Sequence, residues 1–356
     1  MMSPTERRTC FVASTTLLLS TLEYMIPKPL PFMKLGLANL PLLMVLDIFG
    51  WKEYLLLSLL KVCGSCIISG TLFSYVFLLV FLGGMLSAIV MKGVSSLLGR
   101  NISLLGCSVL GALTSNLVQL WVASHLVYGS SIWVAAPLLL SIGLVSSIVL
   151  GLLAETYQRK GHFLDHDFTT QTIKPSANEA HPVPFCILCL VLVLLIIVKK
   201  PLPLAICVGF LFCAQTASGR RPRLAPNLIL FCSMLMLSLF QPAGKVLLSW
   251  GKLAVTEGAL KEAAFKAARL IALVSTSQVM VAVMPHIPGT FFAMLSLTLG
   301  YFSCFHVENH EGNLLQRIDA ALDSSLSGNG KTPRPAKIPL VIVFSGICIA
   351  ALILFW

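Results

Sequence analysis

The sequence predicts an all-α, polytopic integral membrane protein with about 11 transmembrane helices arranged in two blocks. Three observations carry that expectation. Of 356 residues, 57% are hydrophobic and 11% are charged, whereas a soluble domain carries about 25% charged residues to cover its surface. A mean hydropathy of +0.90 points the same way, so most of the surface must face lipid. Apolar stretches recur near the length of about 17–25 residues that takes a helix across a bilayer. The segments of about ten residues with alternating polarity that mark a membrane β-barrel are not found.

The first stretch, 9–26, follows Arg7 and Arg8. That start would suit a signal peptide. No small-x-small cleavage site follows, however, and Glu23 stands near the end, so an uncleaved first helix is expected. Stretches 35–49, 54–70, 72–91, 102–127 and 132–154 complete a six-helix block. Arg7 and Arg8 place the amino terminus in the cytoplasm. Lys52, Lys92, Arg100, Arg159 and Lys160 then fall inside, while the loops around 70–72 and 128–131 carry no positive charge and fall outside, as the positive-inside rule requires. Lys28 and Lys34 are exceptions on the outer side. The expected location is the inner (cytoplasmic) membrane, with many passes.

Polarity then rises from Glu155 to Pro184, where no apolar period survives. The chain is read as a six-helix domain over 1–156, a cytoplasmic linker over 157–184 and a second membrane domain over 185–356. His162 and His166 in the linker have metal-ligating chemistry, but a solvated linker is the expected reading. The second block contains stretches 185–198 and 203–217, turned by Pro201 and Pro203, and then the basic loop Gly219-Arg220-Arg221-Pro222-Arg223. Stretch 224–240, an outer segment over 242–258 with Trp250 and Gly251, and stretch 259–284 follow. A weaker apolar stretch at 289–305, an aqueous charged stretch at 306–337 and a terminal helix at 338–356 complete the chain. Glu262 and Lys266 form a favourable i,i+4 pair at the start of 259–284.

The formal net charge of +11 is scattered over short loops. No basic run interleaved with aromatics exists, so no nucleic-acid partner is expected. Most of the eleven cysteines lie within apolar stretches. The pairs Cys63/Cys66 and Cys186/Cys189 have no companion pair to close a zinc site, and neither metal nor cofactor is expected. No paired aspartates of the kind that hold magnesium and a diphosphate occur. Gly330-Lys331-Thr332 has Ser325 where a phosphate-binding loop needs glycine. No Ser-His-Asp or Cys-His grouping stands out, so no catalytic residue is assigned and the chain is read as not an enzyme.

Polar residues inside apolar stretches are costly and mark function by default. Lys34 follows the break Pro27-Lys28-Pro29-Leu30-Pro31 and precedes Gly36 and Asn39. It either meets a ligand or extends its stem to the outer interface. Lys61 has the same alternatives, or pairs with Asp47 or Glu53. Asn116 and Gln119, at i and i+3, either bond a solute or join two helices. Gly83, Gly84 and Ser87 read as a helix-packing face.

The motifs Lys34-Leu35-Gly36-Leu37-Ala38-Asn39, Gly70-Thr71-Leu72-Phe73-Ser74, Gly83-Gly84-Met85-Leu86-Ser87 and Gly111-Ala112…Asn116…Gln119 resemble the Gx transporter family over about residues 9–156. That family is also labelled heptaprenyl diphosphate synthase component I. The resemblance implies a fold like the substrate-binding S components of energy-coupling-factor transporters, with six helices and both ends cytoplasmic. It implies a substrate site at Lys34, Asn39, Lys61, Asn116 and Gln119. Lys61 stands where the family often has Arg, which removes a planar fork for an anion, and Ser115 stands where it often has His.

Residues 185–285 are similar to the transmembrane T component of those transporters through Leu247-Leu248-Ser249-Trp250-Gly251, Val255-Thr256-Glu257-Gly258-Ala259-Leu260 and Arg269-Leu270. The T family's Ala-Arg-Gly motif is replaced by Leu314-Leu315-Gln316-Arg317-Ile318, which leaves Arg317 as the coupling residue. The function implied is uptake of a small organic solute, such as a vitamin or cofactor precursor, energised by separate ATPase subunits. Two other readings stand beside it: a membrane subunit of a flavin- or quinone-linked redox assembly, and a non-catalytic partner of a polyprenyl diphosphate synthase.

Overall fold

The computed structural model describes residues 3–25, 35–160, 182–219, 224–238, 246–250, 253–285, 289–304 and 337–354. These residues form an all-α polytopic membrane protein with a single short hairpin. In chain order the first block contains α1 (Pro4–Met25), α2 (Leu40–Met44), α3 (Trp51–Ser69), α4 (Tyr75–Leu98), α5 (Leu104–Ala123) and α6 (Ala136–Lys160). The second part contains α7 (Pro182–Ile197), α8 (Pro201–Ala217), α9 (Leu224–Ser238), α10 (Glu257–Ala282), α11 (Thr290–Cys304) and α12 (Ile338–Leu354). Tyr75–Leu98, the run Leu104–Gln158 and Glu257–Ala282 are long and apolar enough to cross a membrane, and α7, α8, α9, α11 and α12 are shorter apolar helices. Leu138, Val145, Val149 and Leu152 on α6 are exposed, as a lipid-facing stripe requires.

The stretch expected as a full helix at 35–49 is broken. Gly36 takes a left-handed φ of 84°, a tight turn covers Leu37–Asn39, and α2 is only five residues long. The segment nonetheless runs the length of α1 in the opposite direction. At one end the Leu35 N–H donates to Glu23 Oε1 at 2.7 Å. At the other, the Arg8 guanidinium lies 5.6 Å from the centre of the Phe49 ring. A broken segment leaves backbone carbonyls without helical partners. Lys92 answers one of them, donating from Nζ to the Leu46 carbonyl at 2.6 Å. Lys92 was expected in an inner loop; it instead sits within α4 and is 8% exposed, because its ammonium is held by that carbonyl and stands over the Tyr54 ring.

Gly70 stops α3 in the left-handed conformation, φ 75°. The Gly70 N–H donates to Ile67 at 3.1 Å and the Thr71 N–H to Cys66 at 2.8 Å. These are the two reverse bonds of a glycine C-cap, so the Gly70-Thr71 motif is the α3–α4 turn. Small residues let α4, α5 and α6 approach closely. Ser87 donates from Oγ to the Gly111 carbonyl at 2.8 Å, and Ser108 to that of Ser147 at 2.8 Å. A Cβ at Gly151 would lie 2.6 Å from the Leu105 Cα, and backbone cannot yield as a side-chain tip does. Gly151→Ala is therefore expected to destabilise the fold by about 1–3 kcal/mol, the cost of overpacking. An unchanged melting temperature in detergent would contradict this close approach.

The two parts interlock. α7, α8, α10 and α12 pack together, with Val191, Cys207, Leu211, Ala272 and Cys348 buried between them. α11 leaves that bundle and packs along α1 and α3. There Met294 accepts from the Cys10 thiol at 3.4 Å, and Tyr301 meets Phe11 edge-on at 5.8 Å. The expected outer segment contains the hairpin, β1 (Val246–Trp250) and β2 (Leu253–Thr256), paired antiparallel with Trp250 opposite Leu253. Phe73 in the α3–α4 turn donates its N–H to Ser277 Oγ at 2.9 Å and meets the Phe185 ring at 5.6 Å. The charge pattern puts that turn outside and the start of α7 inside. Phe73 joins the two, so the sides that the charge pattern assigns to this turn and to the start of α7 are not both met.

Candidate functional site

A cavity of about 420 Å³ opens between α1, α3, α4, α5 and α6, on the α1 end marked by Glu23. That volume lies within the range of about 300–1,000 Å³ typical of small-molecule sites. Four of the residues predicted from sequence line it together: Asn39, Lys61, Asn116 and Gln119. Lys34 lies outside the described residues, and its neighbours Leu35 and Gly36 line the cavity. Arg317, His162 and His166 also lie outside the described residues.

Each wall follows from a local choice of residues. The turn at Gly36 carries Asn39 to the cavity, where Asn39 Oδ1 accepts a hydrogen bond from Lys61 Nζ. Lys61 lies midway along α3 and makes this contact instead of pairing with Asp47 or Glu53. Asp47 accepts from Ser95 Oγ at 2.8 Å, and Glu53 from the Gly50 N–H at 3.1 Å. Asn116 and Gln119 lie on one face of α5, 6% and 1% exposed. Gln119 donates from Nε2 to Ser115 Oγ at 3.0 Å, so the position that departs from the family pattern orients a cavity residue. Gly83 gives Gln119 its room, since a Cβ there would lie 3.0 Å from Gln119 Cγ. The Gly83-Gly84 motif thus serves packing at Gly83, while Gly84 lines the cavity.

Gly143 on α6 does the same for Asn116. A Cβ at Gly143 would fall 2.0 Å from Asn116 Nδ2, the far end of a side chain that can rotate away. Gly143→Ala is therefore expected to re-aim the Asn116 amide and weaken solute retention about tenfold, the value of one hydrogen bond of roughly 1.4 kcal/mol. Its melting temperature should fall far less than that of Gly151→Ala. A Gly143→Ala protein that retains solute like wild type would remove Asn116 from the site.

The cavity also holds residues that the sequence reading did not select. Glu23 near the end of α1 is 5% exposed, and its carboxylate accepts from the Leu35 N–H. Asn227 on α9 and Gln278 on α10 line the cavity from the second part of the chain. Both carried the signal that selected Asn116, an amide within an apolar stretch. Among the described lining residues Lys61 is the only cation and Glu23 the only anion. Apolar patches from Leu79, Val274 and Leu230 alternate with these polar groups. Such a surface suits a small organic molecule with an apolar body and hydrogen-bonding edges.

Residues 12–157 match the family described as heptaprenyl diphosphate synthase component I, and residues 185–283 match a domain of unknown function (DUF8519). No curated protein and no solved structure matches the chain. The first match runs from Val12 within α1 to Tyr157 near the end of α6, so it contains every first-block residue that lines the cavity. The amino-terminal six-helix block, read from the Lys34–Asn39, Gly70–Ser74, Gly83–Ser87 and Gly111–Gln119 motifs, is therefore similar to heptaprenyl diphosphate synthase component I over residues 12–157.

Proposed function

We propose that this membrane protein binds a small organic solute in the cavity of its first block and moves it across the bilayer, acting as a transporter rather than an enzyme. The observation that carries this reading is the convergence of Asn39, Lys61, Asn116 and Gln119 on one cavity of about 420 Å³. Buried amides and an ammonium within a membrane are costly unless something bonds them. Lys61 and Gln119 bond Asn39 and Ser115, and a solute in the cavity would bond the polar edges that face it. Substrate binding is assigned to these four residues and to Lys34, and energy to a separate ATPase that docks through the aqueous 306–337 stretch at Arg317. The second part of the chain would transmit the motion.

A second reading is favoured by the family description itself, which names a component of a prenyl diphosphate synthase. On that reading the chain is a membrane partner of a soluble synthase. The two are separated by isolating the full chain in mild detergent and identifying what accompanies it. An ATPase whose association is lost in Arg317→Glu supports transport. A soluble prenyl synthase, with no ATPase, supports the second reading and removes the coupling role of Arg317.

A further inference from the structure

The solute site does not end at the first block. We propose that the second part of the chain completes it. Asn227 and Gln278 hydrogen-bond the same molecule that Asn116 and Lys61 hold, and that molecule is an uncharged or zwitterionic organic solute with amide-like edges. This inference rests on the reading of the cavity as a solute site.

Three observations support it. Gln278 lies near the end of α10, is 8% exposed and lines the cavity. Its side-chain amide has no hydrogen bond to any described residue, and neither do the side-chain amides of Asn116 and Asn227. A carboxamide offers one acceptor oxygen and two N–H donors. Burying one unbonded costs about 1–3 kcal/mol, so buried Asn116 and Gln278, with half-buried Asn227 facing the same space, call for a common partner. Second, the helices that carry Asn227 and Gln278 are fixed against the first block. Leu230, Met234 and Leu237 of α9 and Leu270 of α10 are buried against Leu120, Val127 and Ile132, and Ser277, beside Gln278, accepts from the Phe73 N–H. The amides are thus placed before any solute arrives.

The third observation is charge. Among the described residues one cation, Lys61, and one anion, Glu23, line the cavity, and a zwitterionic solute can meet both. Amides pair with edges that present a donor beside an acceptor, as heterocyclic lactams, ureas and primary amides do. Leu79 and Val274 supply apolar contact for the body of such a molecule. One consequence is that solute bridges the two parts of the chain, which the sequence-based division assigned to binding and coupling separately.

The test extracts small molecules from the purified, full-length protein and quantifies them by liquid chromatography and mass spectrometry. Wild type is compared with Asn116→Leu, Asn227→Leu and Gln278→Met, each checked for wild-type elution and melting behaviour. Gln278→Glu, which keeps the shape and removes the donors, serves if Gln278→Met does not fold. The expected result is a solute without net charge at neutral pH, reduced at least tenfold in all three variants. Loss in Asn116→Leu with wild-type levels in Asn227→Leu and Gln278→Met overturns this inference and leaves the first-block site standing. A recovered solute with two or more net charges overturns the assigned class. Wild-type levels in every variant, or no solute in wild type, overturns the underlying cavity reading together with the inference.

Discussion

Replacing Lys61 by methionine is expected to weaken solute binding by about 10- to 100-fold while the protein remains folded. A hydrogen bond to a charged group contributes about 1.5–3 kcal/mol, and each 1.4 kcal/mol is a factor of ten. Methionine keeps most of the stem volume, so α3 should still pack against α1 and α4. The Asn39 amide loses its donor in the process, but it faces the cavity, where water can reach it. Titration of the recovered solute by calorimetry, together with a melting curve, separates the two effects. A Lys61→Met protein that binds like wild type would return Lys61 to a packing role. Arginine at this position tests the same contact: Lys61→Arg should favour a planar anion over a neutral solute.

The second large effect is structural. Lys92→Glu is expected to destabilise the protein by about 3–5 kcal/mol, the cost of leaving a buried charge uncompensated. The Leu46 carbonyl would lose the ammonium that now bonds it at 2.6 Å. The new carboxylate would face that carbonyl and the neighbouring Asp47. The broken segment 35–49 should then detach from α4 first, and with it Asn39, so solute binding falls as stability falls. Thermal unfolding in detergent reads this directly. Lys92→Met, which removes the charge without reversing it, should cost distinctly less. Equal melting temperatures for wild type and Lys92→Glu would mean that the segment is held by other contacts.

Much of the fold was legible because a bilayer restricts the choices. Apolar runs of spanning length admit only helices or closed barrels, and the predicted stretches fall on the observed helices to within a few residues at most ends. The apolar composition of 35–49 records burial, not helicity, and Gly36 in the left-handed conformation turns the chain there. The pairing of β1 with β2 is not legible in the sequence, whose outer segment reads only as apolar. Lys92 was misplaced because positive charge was read as a loop marker, and nothing in sequence shows that a broken segment needs a buried donor.

The site was half legible for a related reason. An amide in an apolar helix marks a cost, and that signal found Asn116 and Gln119. The same signal lies in Gln278 and Asn227, but their stretches resemble a coupling domain rather than a binding one. Only tertiary packing reveals that α9 and α10 close the cavity. Glu23 was noticed for its bearing on a signal peptide rather than for its place on the wall. Gly143 was silent in sequence, since its role is to leave space for Asn116.

The central claim, that this cavity holds a solute, is tested most directly by the small-molecule content of the full-length protein and of the double variant Lys61→Met/Asn116→Leu, purified side by side. The account predicts a near-stoichiometric polar solute in wild type and less than about one hundredth of it in the double variant, from two lost contacts of roughly 1.4 kcal/mol or more each. Both proteins carrying the same molecule in the same amount, or neither carrying anything but bulk lipid and detergent, would contradict it.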